Sequence, residues 1–176
     1  MKKKIIRELL DYVILFVVVI ALVWLMDTYL IVNAQIPSES MENTIMTGDR
    51  IIGNRLAYKT GVPQRYDIII FKYPDDESVL YIKRIIGLPG ETVTILDGKV
   101  YINDSAKPLD DSFTPETPLG DFGPYTVPGD SYFVLGDNRN YSFDSRYWEN
   151  TFVREDQILG KAAFCYFPFS RFGKVE

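Results

Sequence analysis

Val93-Thr94-Ile95-Leu96-Asp97-Gly98-Lys99-Val100-Tyr101-Ile102 is the stretch that decides the fold class. Two runs rich in β-branched and aromatic residues flank Asp97-Gly98, a pair that tolerates the two positive φ angles of a tight hairpin turn. It predicts two antiparallel strands joined by two residues. The same composition recurs on both sides. Asp67-Ile68-Ile69-Ile70-Phe71, Val79 to Ile86, Tyr132-Phe133-Val134-Leu135 and Ile158 to Phe167 are short runs bounded by Gly, Pro and Asp clusters. Asp104 to Gly129, crowded with Pro, Asp, Gly and Thr, is expected to be a long irregular surface excursion.

Toward the N-terminus the pattern changes. Tyr12 to Met26 is uninterrupted apolar and aromatic sequence, and after Asp27-Thr28 the run resumes through Tyr29-Leu30-Ile31-Val32. As a helix, positions 12 to 32 span roughly 31 Å, enough to cross a bilayer. Lys2, Lys3, Lys4 and Arg7 precede the run and no Lys or Arg follows before Arg50, so the positive-inside rule places the N-terminus in the cytoplasm and everything after Gln35 outside. Asp27 lies toward the outer end, where a carboxylate is tolerable. A cleaved secretory signal begins the same way, and Val32-Asn33-Ala34 has the small-residue look of a cleavage site. The apolar stretch is longer than an ordinary signal core, which favours a retained anchor. The expected division is therefore a cytoplasmic N-terminus and transmembrane anchor over residues 1–34, and one extracytoplasmic β-rich catalytic domain over residues 35–176.

Composition narrows the chemistry. The chain carries a formal net charge of −5, and the anchor segment has four basic and three acidic residues, leaving −6 outside, which argues against a nucleic-acid partner. One cysteine, Cys165, excludes an intrachain disulfide; with no histidine at all, neither a metal site nor a cofactor is expected. A serine nucleophile would also have to find a base other than histidine: a lysine, a carboxylate or a terminal amine.

Ser40, in Ile36-Pro37-Ser38-Glu39-Ser40-Met41, lies eight positions past the apolar run. Lys83 is the candidate base. In Tyr81-Ile82-Lys83-Arg84-Ile85, strand alternation puts Tyr81, Lys83 and Ile85 on one face and Arg84 on the other. Apolar neighbours desolvate the ammonium and lower its pKa, as a lysine base requires. On alternation alone, a solvent-facing strand lysine is the commoner alternative.

The combination is more specific than any of its parts. Pro37-Ser38-x-Ser40-Met41, Arg65-Tyr66-Asp67-Ile68-Ile69-Ile70-Phe71, Tyr81-Ile82-Lys83-Arg84-Ile85-Ile86-Gly87-Leu88-Pro89-Gly90-Glu91 and Gly136-Asp137-Asn138-Arg139-Asn140-Tyr141-Ser142-x-Asp144-Ser145-Arg146 resemble, in order and spacing, the bacterial type I signal peptidases. The resemblance runs from the anchor to Phe167. It implies a membrane-bound serine endopeptidase with a Ser-Lys dyad: Ser40 attacks the scissile carbonyl, and Lys83 removes its proton and later protonates the leaving amine. It further implies that Ser38 and the Ser40 backbone N–H form the oxyanion hole, that Ser142 orients Lys83, and that Asp144 and Arg146 form a supporting ion pair.

Two positions depart from the family pattern. The residue two after Met41 is Asn43 where the family usually has proline, exchanging a fixed φ for a freer one. Asn140-Tyr141 precedes Ser142 where Asp-Asn is common. Neither removes a group that does chemistry.

What the resemblance implies for partners is equally concrete. Substrates would be signal peptides of secreted preproteins, cut after small residues at −1 and −3 and bound as an extended strand, with the lipid bilayer close by. Ile36, Met41, Ile45 and Met46 are candidates for core packing or for resting on lipid. The implied fold is all-β, antiparallel sheets in a coiled, partly closed barrel-like domain shared with LexA-like self-cleaving repressors, plus one N-terminal transmembrane helix. Those repressors use the same dyad, but the apolar anchor and the lack of DNA-binding helices argue against them. A non-catalytic holder of secreted subunits is a second alternative, and the presence of both Ser40 and Lys83 counts against it.

Overall fold

The computed structural model describes residues 2–175; Met1 and Glu176, the outermost residues of the two expected segments, lie outside the described residues. Helix α1 (Lys2–Tyr29) is 28 residues long, roughly 42 Å at 1.5 Å per residue. Over Lys4–Tyr29 it is long and apolar enough to cross a membrane, and none of that span is buried within the protein. The helix thus starts before Tyr12 and stops before Val32. Its end is held from the sheet side. The Arg55 N–H donates to Leu30 O at 3.0 Å and Arg55 Nε to Ile31 O at 2.7 Å.

Ile31–Gln35 leave the helix as strand β1, and Val32, 3% exposed, belongs to the sheet core rather than to the anchor. β-Branched Ile31 and Val32 lose less side-chain freedom in a half-buried strand than in a last helical turn.

Ten further strands follow: β2 (Arg50–Asn54), β3 (Ile68–Tyr73), β4 (Asp76–Gly87), β5 (Thr92–Leu96), β6 (Lys99–Ile102), β7 (Phe122–Thr126), β8 (Ser131–Leu135), β9 (Val153–Arg154), β10 (Ile158–Phe167) and β11 (Gly173–Lys174). All the ladders are antiparallel. The larger sheet runs β1-β2-β10-β3-β4-β8-β9 with β11 beside β10; the smaller runs β6-β5-β7. The expectation of partial closure is corrected here: β1 and β9 end the order, and the sheet does not close on itself.

The hairpin that set the fold class forms as expected, with Leu96 opposite Lys99 and φ of 48° and 71° at Asp97 and Gly98. Strand β7 corrects the reading of Asp104 to Gly129 as irregular throughout. Gly123 and Pro124 break its alternation, and a register shift between Val93 and Ile95 absorbs them on an edge strand, where a missing N–H is tolerated. Short β1, β2, β9 and β11 carried too little pattern to be read.

Three clusters make the core. Val32, Ile36, Met41, Ile45, Ile51 and Ile70 pack together beneath the segment that follows β1. Ile69, Phe71, Ile85, Val134 and Trp148 fill the other face of the central strands, and Val93, Ile95, Val100, Phe133 and Leu135 join the small sheet to the large one. Strand β4 lies between two of these clusters. A lysine near its middle is therefore placed in an apolar interior.

Candidate active site

The Ser40 turn begins where β1 ends. The Glu42 N–H donates to Glu39 O at 3.0 Å and the Ile45 N–H to Met41 O at 2.8 Å, and Met41 and Ile45, both fully buried, root the turn in the core. Ser40 itself is 5% exposed. On β4, Lys83 pairs with Ile69 of β3, and its side chain is flanked by the Tyr81 ring, 5.5 Å from Nζ. Lys83 is 4% exposed.

Lys83 Nζ and Ser40 Oγ are 2.5 Å apart. As an ammonium, Lys83 donates to the serine oxygen; as a neutral amine it accepts the hydroxyl proton, the direction that activates a nucleophile. Burial favours the amine and lowers the Lys83 pKa to about 8, with Arg146 pushing the same way and the Asp144 and Asp137 carboxylates opposing. Ser38 Oγ stands 3.4 Å from Ser40 Oγ. Among the described residues the Ser40 N–H has no acceptor, whereas the Ser38 hydroxyl has Ser40 Oγ as its partner.

The loop after β8 packs directly on this pair. Asn138 N–H donates to Ser40 O at 3.2 Å, and Asn138 Nδ2 to Glu39 O at 3.1 Å. Gly136 leaves no space: a Cβ there would lie 2.4 Å from Ser40 O and 2.3 Å from Ser142 Oγ. Ser142 is therefore beside the Ser40 carbonyl. Its hydroxyl, however, is buried without a hydrogen-bond partner, so the bond to Lys83 that the resemblance implies is not formed in this state. Lys83 Nζ is instead taken up by Ser40. Asp144 and Arg146 form a buried two-bond pair at 2.8 and 2.9 Å, and Asp144 also accepts the Gly136 N–H.

Sequence reading missed a second buried pair. Arg84, assigned only to the opposite face from Lys83, forks onto Asp137 at 2.8 and 2.7 Å. Thr44 Oγ1 donates to the same carboxylate at 2.5 Å, joining the Ser40 turn to the strand that carries Lys83. The signal was present in Lys83-Arg84 and Gly136-Asp137, since an arginine buried on a central strand must find a carboxylate. Nothing in a linear sequence pairs the two. Arg139, 1% exposed, likewise forks onto Asp111 at 2.9 and 3.0 Å, from the excursion read as a surface loop.

A cavity of about 500 Å³ opens onto Ser40 and Lys83, walled by Ala34 to Ser38 on one side, Val79 to Ile82 on the other, and Tyr141 and Phe143 at its end. Strand β8 pairs with β4 only from Arg84 to Gly87. Among the described residues the preceding part of that β4 edge has no ladder partner and borders the cavity. No group of three or more His, Cys, Asp or Glu residues that could hold a metal ion occurs among the described residues.

The Ser40–Lys83 contact borders this cavity on an antiparallel β domain, and comparison with known proteins identifies the family. The chain matches signal peptidase, peptidase S26, over residues 9–167, and belongs to that family. It is 42% identical over 143 residues to the probable signal peptidase I-2 of Synechocystis sp., covering 78% of this chain and 64% of that protein. To signal peptidase I P of Bacillus subtilis subsp. natto it is 35% identical over 188 residues, covering 99% and 96%. A crystal structure of a signal peptidase I from Enterococcus faecalis V583 aligns at 38% identity over 56% of this chain and 95% of that one, with a TM-score of 0.49, too loose to add to the topology above.

Proposed function

We propose that this chain removes N-terminal signal peptides from exported preproteins by a Ser40–Lys83 dyad. The observation that carries the reading is the 2.5 Å contact between Lys83 Nζ and Ser40 Oγ, made by a lysine that burial holds near pKa 8. As Ser40 Oγ bonds to the scissile carbonyl carbon, its proton passes to neutral Lys83. The carbonyl oxygen takes the negative charge and meets the Ser40 N–H and the Ser38 hydroxyl. The Lys83 ammonium then gives its proton to the departing amine as the C–N bond breaks, leaving an acyl-serine. Water then attacks that ester as Lys83 takes its proton, and Lys83 returns the proton to Ser40 Oγ as the acyl C–O bond breaks.

In this reading Ser142 orients the lysine once Nζ leaves the serine oxygen, and the Asp144–Arg146 pair holds the loop that carries it. The substrate enters as an extended strand along the free edge of β4, with small residues at −1 and −3 facing the groove walled by Ile36, Val79 and Ile82. Residues 1–34 act as cytoplasmic N-terminus and anchor and residues 35–176 as the extracytoplasmic catalytic domain, coiled as in the family, with β1 passing between the two. The lysines at positions 2–4 and Arg7 set that orientation in a cell membrane. A non-catalytic holder would have no use for a desolvated lysine against a serine hydroxyl.

Incubating the detergent-solubilised full chain with a synthetic preprotein, and reading the cut site by mass, tests this function. A single cut after a small-x-small pattern is expected. No cut, or cuts scattered along the chain, would overturn it.

A further inference from the structure

Residues Asp110 to Thr114 lie in the long excursion, far in sequence from any residue assigned a role, yet this turn touches all three segments that carry the site. Asp111 accepts two bonds from the buried guanidinium of Arg139, in the loop after β8. The Phe113 ring covers the guanidinium of Arg84, on the lysine strand, with 4.2 Å from Cζ to the ring centroid, and stacks edge-on against Tyr66 at 5.7 Å. Phe113 O accepts Asn43 Nδ2 at 2.8 Å, from the turn that carries Ser40.

Asn43 has a φ of 87°, a left-handed conformation forbidden to proline and unfavourable for most L-residues. Asparagine is among the few side chains that adopt it readily, and here its amide is tied to the clamp's backbone. The freedom expected from an asparagine at this position is therefore removed by a hydrogen bond across the site. Arg84, covered by an aromatic face, is shielded from water, which strengthens both the cation–π contact and the ion pair.

We propose that Asp111, Phe113 and Asn43 form a clamp that positions the dyad. They are positioning residues acting through Arg84, Arg139 and the Ser40 turn, and none touches the reacting atoms. The inference rests on the peptidase reading above. Its consequence is a loss in turnover with little change in substrate binding, because the groove from Ala34 to Ser38 and Val79 to Ile82 contains no clamp residue.

The test is steady-state cleavage of a preprotein by the full chain in detergent, alongside thermal melting. Phe113→Ala should lower kcat about tenfold with KM nearly unchanged, Phe113→Tyr should keep wild-type kcat, and Phe113→Leu should recover only part. Asn43→Gly keeps the left-handed backbone while removing the bond, so it reports on the clamp even if Phe113→Ala is poorly folded; about a three- to tenfold fall in kcat is expected. Asn43→Gly with Phe113→Ala should cost little more than the worse single change. Leu119→Ala, exposed on the same excursion, should behave as wild type. Unchanged kcat in both Phe113→Ala and Asn43→Gly, with wild-type enzyme active and Ser40→Ala inactive in the same assay, overturns the clamp and leaves the peptidase reading standing. An active Ser40→Ala overturns the reading itself.

Discussion

Arg84 and Asp137 meet through two hydrogen bonds with side chains 6% and 0% exposed, and Thr44 of the Ser40 turn donates a third to the carboxylate. Neither residue lines the groove, yet Arg84 is the chain neighbour of Lys83 and Asp137 is bonded to the Ser40 turn through Thr44. Truncating one partner leaves the other charge buried and unpaired.

Arg84→Ala and Asp137→Ala should each destabilise the protein by about 3–5 kcal/mol, whereas replacing both residues by leucine should cost much less than the sum. Urea unfolding of the single and double variants measures this. Additive losses would mean that the pair is not the unit the geometry indicates. Because the Asp137 charge raises the Lys83 pKa, an Asp137→Asn variant that still folds should move the ascending limb of its pH–rate profile to lower pH.

Gly136→Ala should fold but lose most activity. A methyl there would fall 2.3 Å from Ser142 Oγ and 2.4 Å from Ser40 O, so the loop or the nucleophile turn must shift. Relieving contacts that short takes a displacement approaching about 1 Å, and a misplacement of that size at Ser40 costs on the order of a hundredfold in kcat. Wild-type kcat in Gly136→Ala would show that the loop does not set the serine's position.

How much of this was legible in advance divides along physical lines. The hairpin at Asp97-Gly98, the central strands and β10 were readable because composition and turn residues agree locally. The hand-off from helix to sheet at Tyr29 was not, since Leu30, Ile31 and Val32 are as apolar as the anchor and only pairing with β2 takes them from it. In the site, alternation, a missing histidine and resemblance singled out Ser40 and Lys83, which the fold brings into contact. The Arg84–Asp137 and Arg139–Asp111 pairs join residues 53 and 28 positions apart, and a charged residue's distant partner leaves no local trace. The expected Ser142–Lys83 bond is not formed: Ser142 Oγ is buried without a partner and Lys83 Nζ contacts Ser40 Oγ.

Ser142→Ala should raise stability by about 1 kcal/mol while lowering kcat about tenfold to a thousandfold. The hydroxyl is buried without a partner, so its removal relieves a desolvation penalty in the resting enzyme. A hydroxyl kept at that cost is expected to be used when Lys83 carries the proton. Threonine should recover part of kcat. Melting and kinetics of the same samples decide; higher stability with unchanged kcat would make Ser142 a packing residue.

The pH dependence follows from Lys83. Its folded pKa, about 8, lies below the ordinary lysine value of 10.5, so the unfolded chain binds more protons between these limits and stability gains from this group as pH rises from about 8 to 10. Below 8 the buried ammonium is a full penalty. Lys83→Met should therefore be more stable than wild type at pH 7, with the difference shrinking toward pH 10, as read by denaturant titration at both values. Activity should climb through pH 8 with the neutral amine and persist in EDTA. A flat profile from pH 6 to 9 would contradict a lysine base.

Turnover of one synthetic preprotein by Ser40→Ala, Lys83→Ala, Lys83→Arg and the Ser40→Ala/Lys83→Ala double variant, each verified as folded, tests the dyad most directly. Nucleophile and base work as one unit, so each single change should abolish cleavage by about three orders of magnitude or more, and the double variant should be no worse. Arginine should fail with alanine, because a guanidinium does not give up its proton at these pH values. Near-wild-type turnover by any of the four would contradict catalysis by Ser40 and Lys83.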